Sequence, residues 1–94
     1  MNTTPVPLTA KPAVGRGFRL QWEPAQNAHV LLYPEGMVKL NGSAGEILKR
    51  CDGTRSVSAI VEDLEQAFDT RDLTRDVTDF MSFAVERKWL ELRE

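Results

Sequence analysis

The chain has 94 residues, 41% of them hydrophobic and 28% charged, with a net charge of −2. That balance suits one small globular domain and provides no global basic field to attract nucleic acid or an anionic membrane. One cysteine, Cys51, and one histidine, His29, exclude an internal disulfide and a single-chain structural zinc site, which needs about four nitrogen or sulfur ligands.

Residues 1–15 (MNTTPVPLTAKPAVG) are rich in proline and threonine and show no periodicity. They are expected to form a flexible tail, with the folded domain spanning 16–94 and order beginning near Arg16-Gly17. Pro5, Pro7 and Pro12 interrupt any apolar run, so neither a signal peptide nor a membrane span is expected. The lack of disulfides fits a reducing cytoplasm.

From Phe18 the period is two. Phe18, Leu20 and Trp22 alternate with Arg19, Gln21 and Glu23, as in a strand with one buried face. His29–Tyr33 is a short apolar run ended by Pro34, and Pro34-Glu35-Gly36 has turn chemistry. Met37–Leu40 follows as a third strand, which makes an antiparallel meander.

After Asn41-Gly42 the period becomes 3.6. Ser43-Ala44-Gly45-Glu46 has the form of a capping box, and Ala44, Ile47, Leu48 and Cys51 carry a first helix to about Cys51. Asp52-Gly53 then ends it. Gly45 weakens the first turn by roughly 1 kcal/mol relative to alanine. Ser56 caps a second helix with the stripe Val57, Ile60, Val61, Leu64 and Phe68. A third helix starts near Thr70 or Asp72 and carries Leu73, Val77, Phe80, Met81 and Ala84. Trp89-Leu90-Glu91-Leu92 is either a short last strand or a helix tail. The sum is a winged-helix-like α+β domain, a three-stranded meander followed by three helices.

Nothing in this pattern assembles a catalytic centre. His29 has no local nucleophile or metal-ligand partner, and Cys51 falls on an apolar helical stripe where a thiol packs as a small hydrophobe. Asp69, Asp72, Asp76 and Asp79 match no EF-hand loop, and Asp69 and Asp72 suit capping at a helix start. Gly15-Arg16-Gly17 is too short for a phosphate loop. Trp22 shares a strand face with Phe18 and Leu20 and is expected in the core; Trp89 is flanked by charge. Phe83 lies about 100° from the centre of the third helix's stripe. It is either the edge of a wide core or an exposed apolar contact beside Asp76, Asp79 and Arg87. The chain therefore points to an adaptor that binds a partner, with no cofactor and no chemistry of its own.

Several segments resemble one family. They are Arg16-Gly17-Phe18-Arg19-Leu20, Tyr33-Pro34-Glu35, Lys39-Leu40-Asn41 leading into Ser43-Ala44, and Glu46 to Val57 with Cys51-Asp52-Gly53-Thr54-Arg55-Ser56-Val57 at its centre. With Asp76-Val77-Thr78-Asp79-Phe80, in this order and spacing, the chain from Lys11 onward is similar to the PqqD family of pyrroloquinoline quinone biosynthesis. Gly45 at a helix start and Lys88, where relatives often carry glycine, depart from the pattern. The resemblance implies a peptide chaperone that binds the precursor peptide PqqA and presents it to the radical SAM enzyme PqqE. It further implies that the precursor adds an antiparallel strand to the third strand, here Met37, Val38, Lys39, Leu40 and Asn41. A helix wall would come from Asp76, Asp79, Phe80, Phe83 and Arg87. An exposed edge strand could also pair with a second copy, as a symmetric or swapped homodimer. The Cys51–Arg55 segment fits a structural turn better than a contact with the modifying enzyme.

The competing class is a winged-helix DNA-binding regulator, with the third helix in the groove. Residues 70–88 carry four basic against four acidic side chains, leaving no basic stripe to neutralise phosphates. A gel-shift with duplex DNA at low salt is expected to show no complex; tight, salt-sensitive binding would overturn the adaptor reading.

Overall fold

Alternating apolar residues in the N-terminal half give three short strands, and the later 3.6-residue stripes give helices. The computed structural model describes residues 5–94, and residues 1–4, the start of the expected tail, lie outside the described residues. In chain order the elements are β1 (Lys11–Val14), β2 (Arg19–Glu23), β3 (Ala28–Tyr33), β4 (Gly36–Lys39), α1 (Gly42–Leu48), α2 (Val57–Ala67), α3 (Thr74–Glu86) and β5 (Leu90–Arg93).

The expected α+β meander is present as an antiparallel sheet in the order β2-β3-β4. Leu20, Leu31 and Val38 lie opposite one another across it, and Leu31 is wholly buried. On that face Leu31 and Leu40 meet Ile47, Leu48, Ile60, Leu64, Val77 and Met81 from the three helices in one core. The apolar stripes thus cover one sheet face, as their periods require.

A second sheet pairs β1 with β5, Lys11 opposite Arg93 and Val14 opposite Leu90. This corrects the flexible-tail expectation for residues 11–15. Ala10, Pro12 and Ala13 are buried, and the same segment supplies carbonyls to the start of α2. Val57 N–H donates to the Ala10 carbonyl at 2.9 Å and Ser58 N–H to the Leu8 carbonyl at 3.0 Å. Small side chains and proline leave no apolar period, so a strand anchored by a partner some 80 positions away is invisible locally. Trp89–Leu92 resolves as the strand, with Trp89 half-buried just ahead of β5.

Helix ends depart from expectation in four places. Asn41, rather than Ser43, caps α1: its Oδ1 accepts from Ala44 N–H at 2.8 Å, while Glu46 turns to Lys49 and Arg50. That helix stops at Leu48, and Cys51 is held past its end by N–H donation to the Leu48 carbonyl at 3.0 Å. Ser56 caps α2 as expected, accepting from Ala59 N–H at 3.1 Å, yet Phe68 falls at its C-cap and is 51% exposed. Finally, α3 starts only at Thr74, because Asp69 and Asp72 take left-handed conformations (φ 49° and 62°) in the preceding loop. Glu65 Oε2 accepts the Leu73 N–H at 3.0 Å in place of a local cap. Trp22 is also outside the core: it is half-exposed and sits edge-on to His29, ring centroids 5.0 Å apart.

Gly45, unfavourable by propensity, has a packing reason. A Cβ there would lie 2.8 Å from His29 Nδ1 and 3.2 Å from His29 Cβ and Cγ, so glycine lets α1 approach β3. Gly45→Ala should therefore lower stability by about 1–2 kcal/mol despite its better helix propensity. A double-mutant cycle with His29→Ala, read by thermal or urea melts, should recover most of that loss; a stabilising Gly45→Ala would sink this account.

Candidate functional site

The outer edge of β4 follows from hydrogen-bond alternation. Leu40 N–H donates to the His29 carbonyl at 3.0 Å, which makes Leu40 and His29 a directly bonded pair. In an antiparallel ladder such pairs alternate, so Val38 also bonds inward to Leu31 and Gly36 to Tyr33 in this register. Met37 and Lys39 therefore turn their N–H and C=O groups away from β3. Since β4 ends the sheet, these groups face an edge with which no other strand among the described residues pairs. The side chains obey the opposite parity: Met37 and Lys39 lie exposed on the outer face, whereas Val38 and Leu40 join the core.

At the Leu40 end the edge opens onto a groove of about 530 Å³. Its walls come from the start of α1 (Gly42, Ser43, Ala44, Ile47), the end of α2 (Leu64, Phe68) and the first half of α3 (Leu73, Asp76, Val77, Phe80), with Asn41 at the junction. Most of this lining is apolar. Its ionisable members are Glu46 and Asp76. Glu46 is already bound to Lys49 at 3.2 Å and Arg50 at 2.9 Å, whereas Asp76 is exposed in the first turn of α3.

Helical spacing puts Asp76, Asp79, Phe80, Phe83 and Arg87 on one stripe of α3. Phe80 is partly buried against the core. Phe83, 43% exposed, is the partly exposed alternative rather than a core edge. It stacks on Phe80 at 6.3 Å, meets Trp89 edge-on at 5.5 Å, and lies under the Arg87 guanidinium, 3.6 Å from the ring centroid. These contacts pre-order an aromatic ridge and its cation. Of the residues expected from sequence, the groove brings together Asn41, Asp76 and Phe80. Met37 and Lys39 form the edge, Val38 and Leu40 support it from beneath, and Asp79, Phe83 and Arg87 continue along the helix outside the groove. The wall supplied by Ala44, Ile47, Phe68 and Leu73 was missed, because a helical stripe does not reveal where core ends and groove begins.

The remaining candidates serve structure. Cys51 is 3% exposed, and burial pushes its thiol up to about 12, so it stays protonated. Asp52 bridges to Ala13 and accepts from Thr54 N–H at 2.9 Å and Thr54 Oγ1 at 2.6 Å. Arg55 pairs with Asp63 at 3.6 Å. Arg50, nearly buried, reaches from the end of α1 to both Asp63 and Glu46 and clasps the first two helices. Among the described residues no group of three or more His, Cys, Asp or Glu side chains could hold a metal ion. None of their helices is long and apolar enough to cross a membrane.

The family model for coenzyme PQQ synthesis protein D matches residues 28–90. The chain belongs to the PqqD family. Relatives that match most of the chain carry the name PqqA binding protein, among them two from different genera. That of Stutzerimonas stutzeri is 55% identical over 94% of this chain and 97% of its own length. That of Azotobacter vinelandii is 58% identical over 86% and 89%. The solution structure of the PqqD truncation of Methylobacterium extorquens PqqCD, a stand-alone recognition element for ribosomally synthesized, post-translationally modified peptides, superposes with a TM-score of 0.69. The two share 34% identity, covering 85% of this chain and 87% of that one. This chain therefore shares its overall fold with that structure.

The Arg50 clasp sets a pH dependence. The hydrogen bond from Arg50 holds Asp63 below its ordinary 3.8 and, against partial burial, Glu46 below its ordinary 4.5. A carboxylate depressed in the folded state stabilises fully above its unfolded value and loses that contribution as pH falls through the folded one. Stability should be flat near neutrality and drop below about pH 4.5. Asp63→Asn should lower the Tm at pH 7 and flatten that acid slope; an unchanged slope would show that the clasp contributes nothing.

Proposed function

We propose that this chain binds the precursor peptide PqqA by strand addition and acts as an adaptor in pyrroloquinoline quinone synthesis, not as an enzyme. The observation that carries this reading is the unpaired β4 edge, with Met37 and Lys39 turned outward, opening at its Leu40 end onto an apolar groove walled by α3. An edge of this kind offers main-chain bonds to any extended chain, while the adjoining groove selects among sequences. Relatives bearing the name PqqA binding protein support PqqA as that chain.

In this reading Met37, Val38, Lys39, Leu40 and Asn41 make up the pairing strand, and Asp76, Asp79, Phe80, Phe83 and Arg87 the helix wall. The bound precursor is presented to the radical SAM enzyme PqqE in the cytoplasm. Residues 16–94, joined by the β1 strand, are the recognition domain. Covering β4 with peptide also withholds the edge from a second copy of the chain.

Amide NMR during titration with PqqA peptide tests this. The amides of Met37 and Lys39 should shift and become protected from solvent exchange, with further shifts along α3 from Asp76 to Arg87. Val38 and Leu40, already bonded to β3, should show much smaller changes in exchange. Unmoved amides at saturating peptide would rule out the groove, and failure of the peptide to bind would rule out the function.

A further inference from the structure

Strand addition fixes which peptide side chains the groove can read, and the charge of its lining indicates their chemistry. This inference rests on the strand-addition reading above. A peptide antiparallel to β4 makes its main-chain bonds at the residues facing Met37 and Lys39, and their side chains then lie on the exposed outer face. Residues facing Val38 and Leu40 point their side chains the other way, toward the core face and α3. The groove lies beyond Leu40, since Asn41 and the start of α1 line it and no residue of β4 does. In an antiparallel peptide, positions beyond Leu40 come earlier in its sequence. Two side chains can therefore reach the groove: that of the residue facing Leu40, and that of the residue two before it.

The lining holds no lysine, arginine or histidine. Ile47, Phe68, Leu73 and Phe80 supply apolar walls. Glu46 has its charge matched by Lys49 and Arg50, which leaves Asp76 as the carboxylate open to a ligand. We propose that the groove selects a peptide in which these two positions carry one large apolar and one basic side chain. The apolar side chain packs on Phe80 and Ile47, and the cation pairs with Asp76. An acidic side chain in either position would meet an uncompensated like charge in a largely apolar setting, so the site discriminates by repulsion as well as by attraction.

The test is a double-mutant cycle between protein and peptide, read by fluorescence anisotropy. PqqA peptide and a set in which each lysine or arginine is replaced singly by glutamine are titrated with the unaltered chain and with Asp76→Asn. Asp69→Asn, in the exposed loop before α3 and outside the groove, serves as the control, and melting curves confirm folding. Asp76→Asn should weaken native peptide by about 5–20-fold, a size expected of a charge-assisted hydrogen bond. One peptide substitution should cause a similar loss, and combining it with Asp76→Asn should add little. If Asp76→Asn changes affinity less than twofold, or its effect adds independently to every basic substitution, the proposal fails while peptide binding stands. If unaltered chain and native peptide do not bind, the function on which it rests fails as well.

Discussion

The junction at Leu40–Asn41 holds sheet, helices and groove in one geometry. Leu40 closes the β3–β4 ladder through its N–H on the His29 carbonyl and buries its side chain in the core. One residue later Asn41 caps α1, so only Leu40 and Asn41 lie between β4 and the groove wall. Gly45 then allows α1 to lie against His29 at a distance that a methyl group would forbid. With α1 fixed this way, Arg50 at its far end reaches Asp63 and ties α2 to it. The free groups of Met37 and Lys39 inherit their direction from this arrangement, so the proposed pairing would require little rearrangement of the protein.

The chain ends close the opposite side. β1 and β5 pair over four residues, and just past the Val14–Leu90 pair Gly15 lies so close to the Lys88 carbonyl that any Cβ would overlap it. Lys88 is itself left-handed, with φ 68°, a conformation that costs a non-glycine residue roughly 1–2 kcal/mol. The ribbon's bonds and buried alanines offset that cost. The ribbon also holds Trp89 beside Phe83, so the N-terminal strand indirectly steadies the far end of the α3 stripe.

The sequence exposed the elements whose stabilising contacts repeat at short range. Period-two alternation at Phe18–Trp22, the turn at Pro34–Gly36 and the Ser56 cap all emerged because their partners lie within a few residues. β1 did not, since its partner is at the other end of the chain and its side chains are small. Ser43 stood out as the cap because Glu46 completes a capping box with it, but tertiary structure recruits Glu46 to Arg50 and Asn41 caps the helix instead. Trp22 and Phe68 matched apolar stripes yet lie about half exposed at the ends of their elements, where a period no longer guarantees cover. For the site, the pairing strand and the α3 stripe came from family resemblance. The outward direction of Met37 and Lys39 needed the register, and the groove wall needed the packing of three helices.

The register also bears on how selective such a strand can be. Two outward residues provide at most four main-chain bonds, each contributing about 0.5–1.5 kcal/mol net. Ordering five residues of a disordered peptide costs about 1–2 kcal/mol per residue, so backbone pairing alone falls short of the freedom lost. A second copy of this chain would offer an edge that is already ordered, yet one as short and with equally few main-chain bonds. A favourable balance therefore requires side chains that fill the groove, where burying one large apolar group contributes about 1.5–3 kcal/mol. A short edge is consequently an advantage for an adaptor. Under the proposed strand addition it stays weak toward chains in general and becomes effective only for one whose inward residues match the groove.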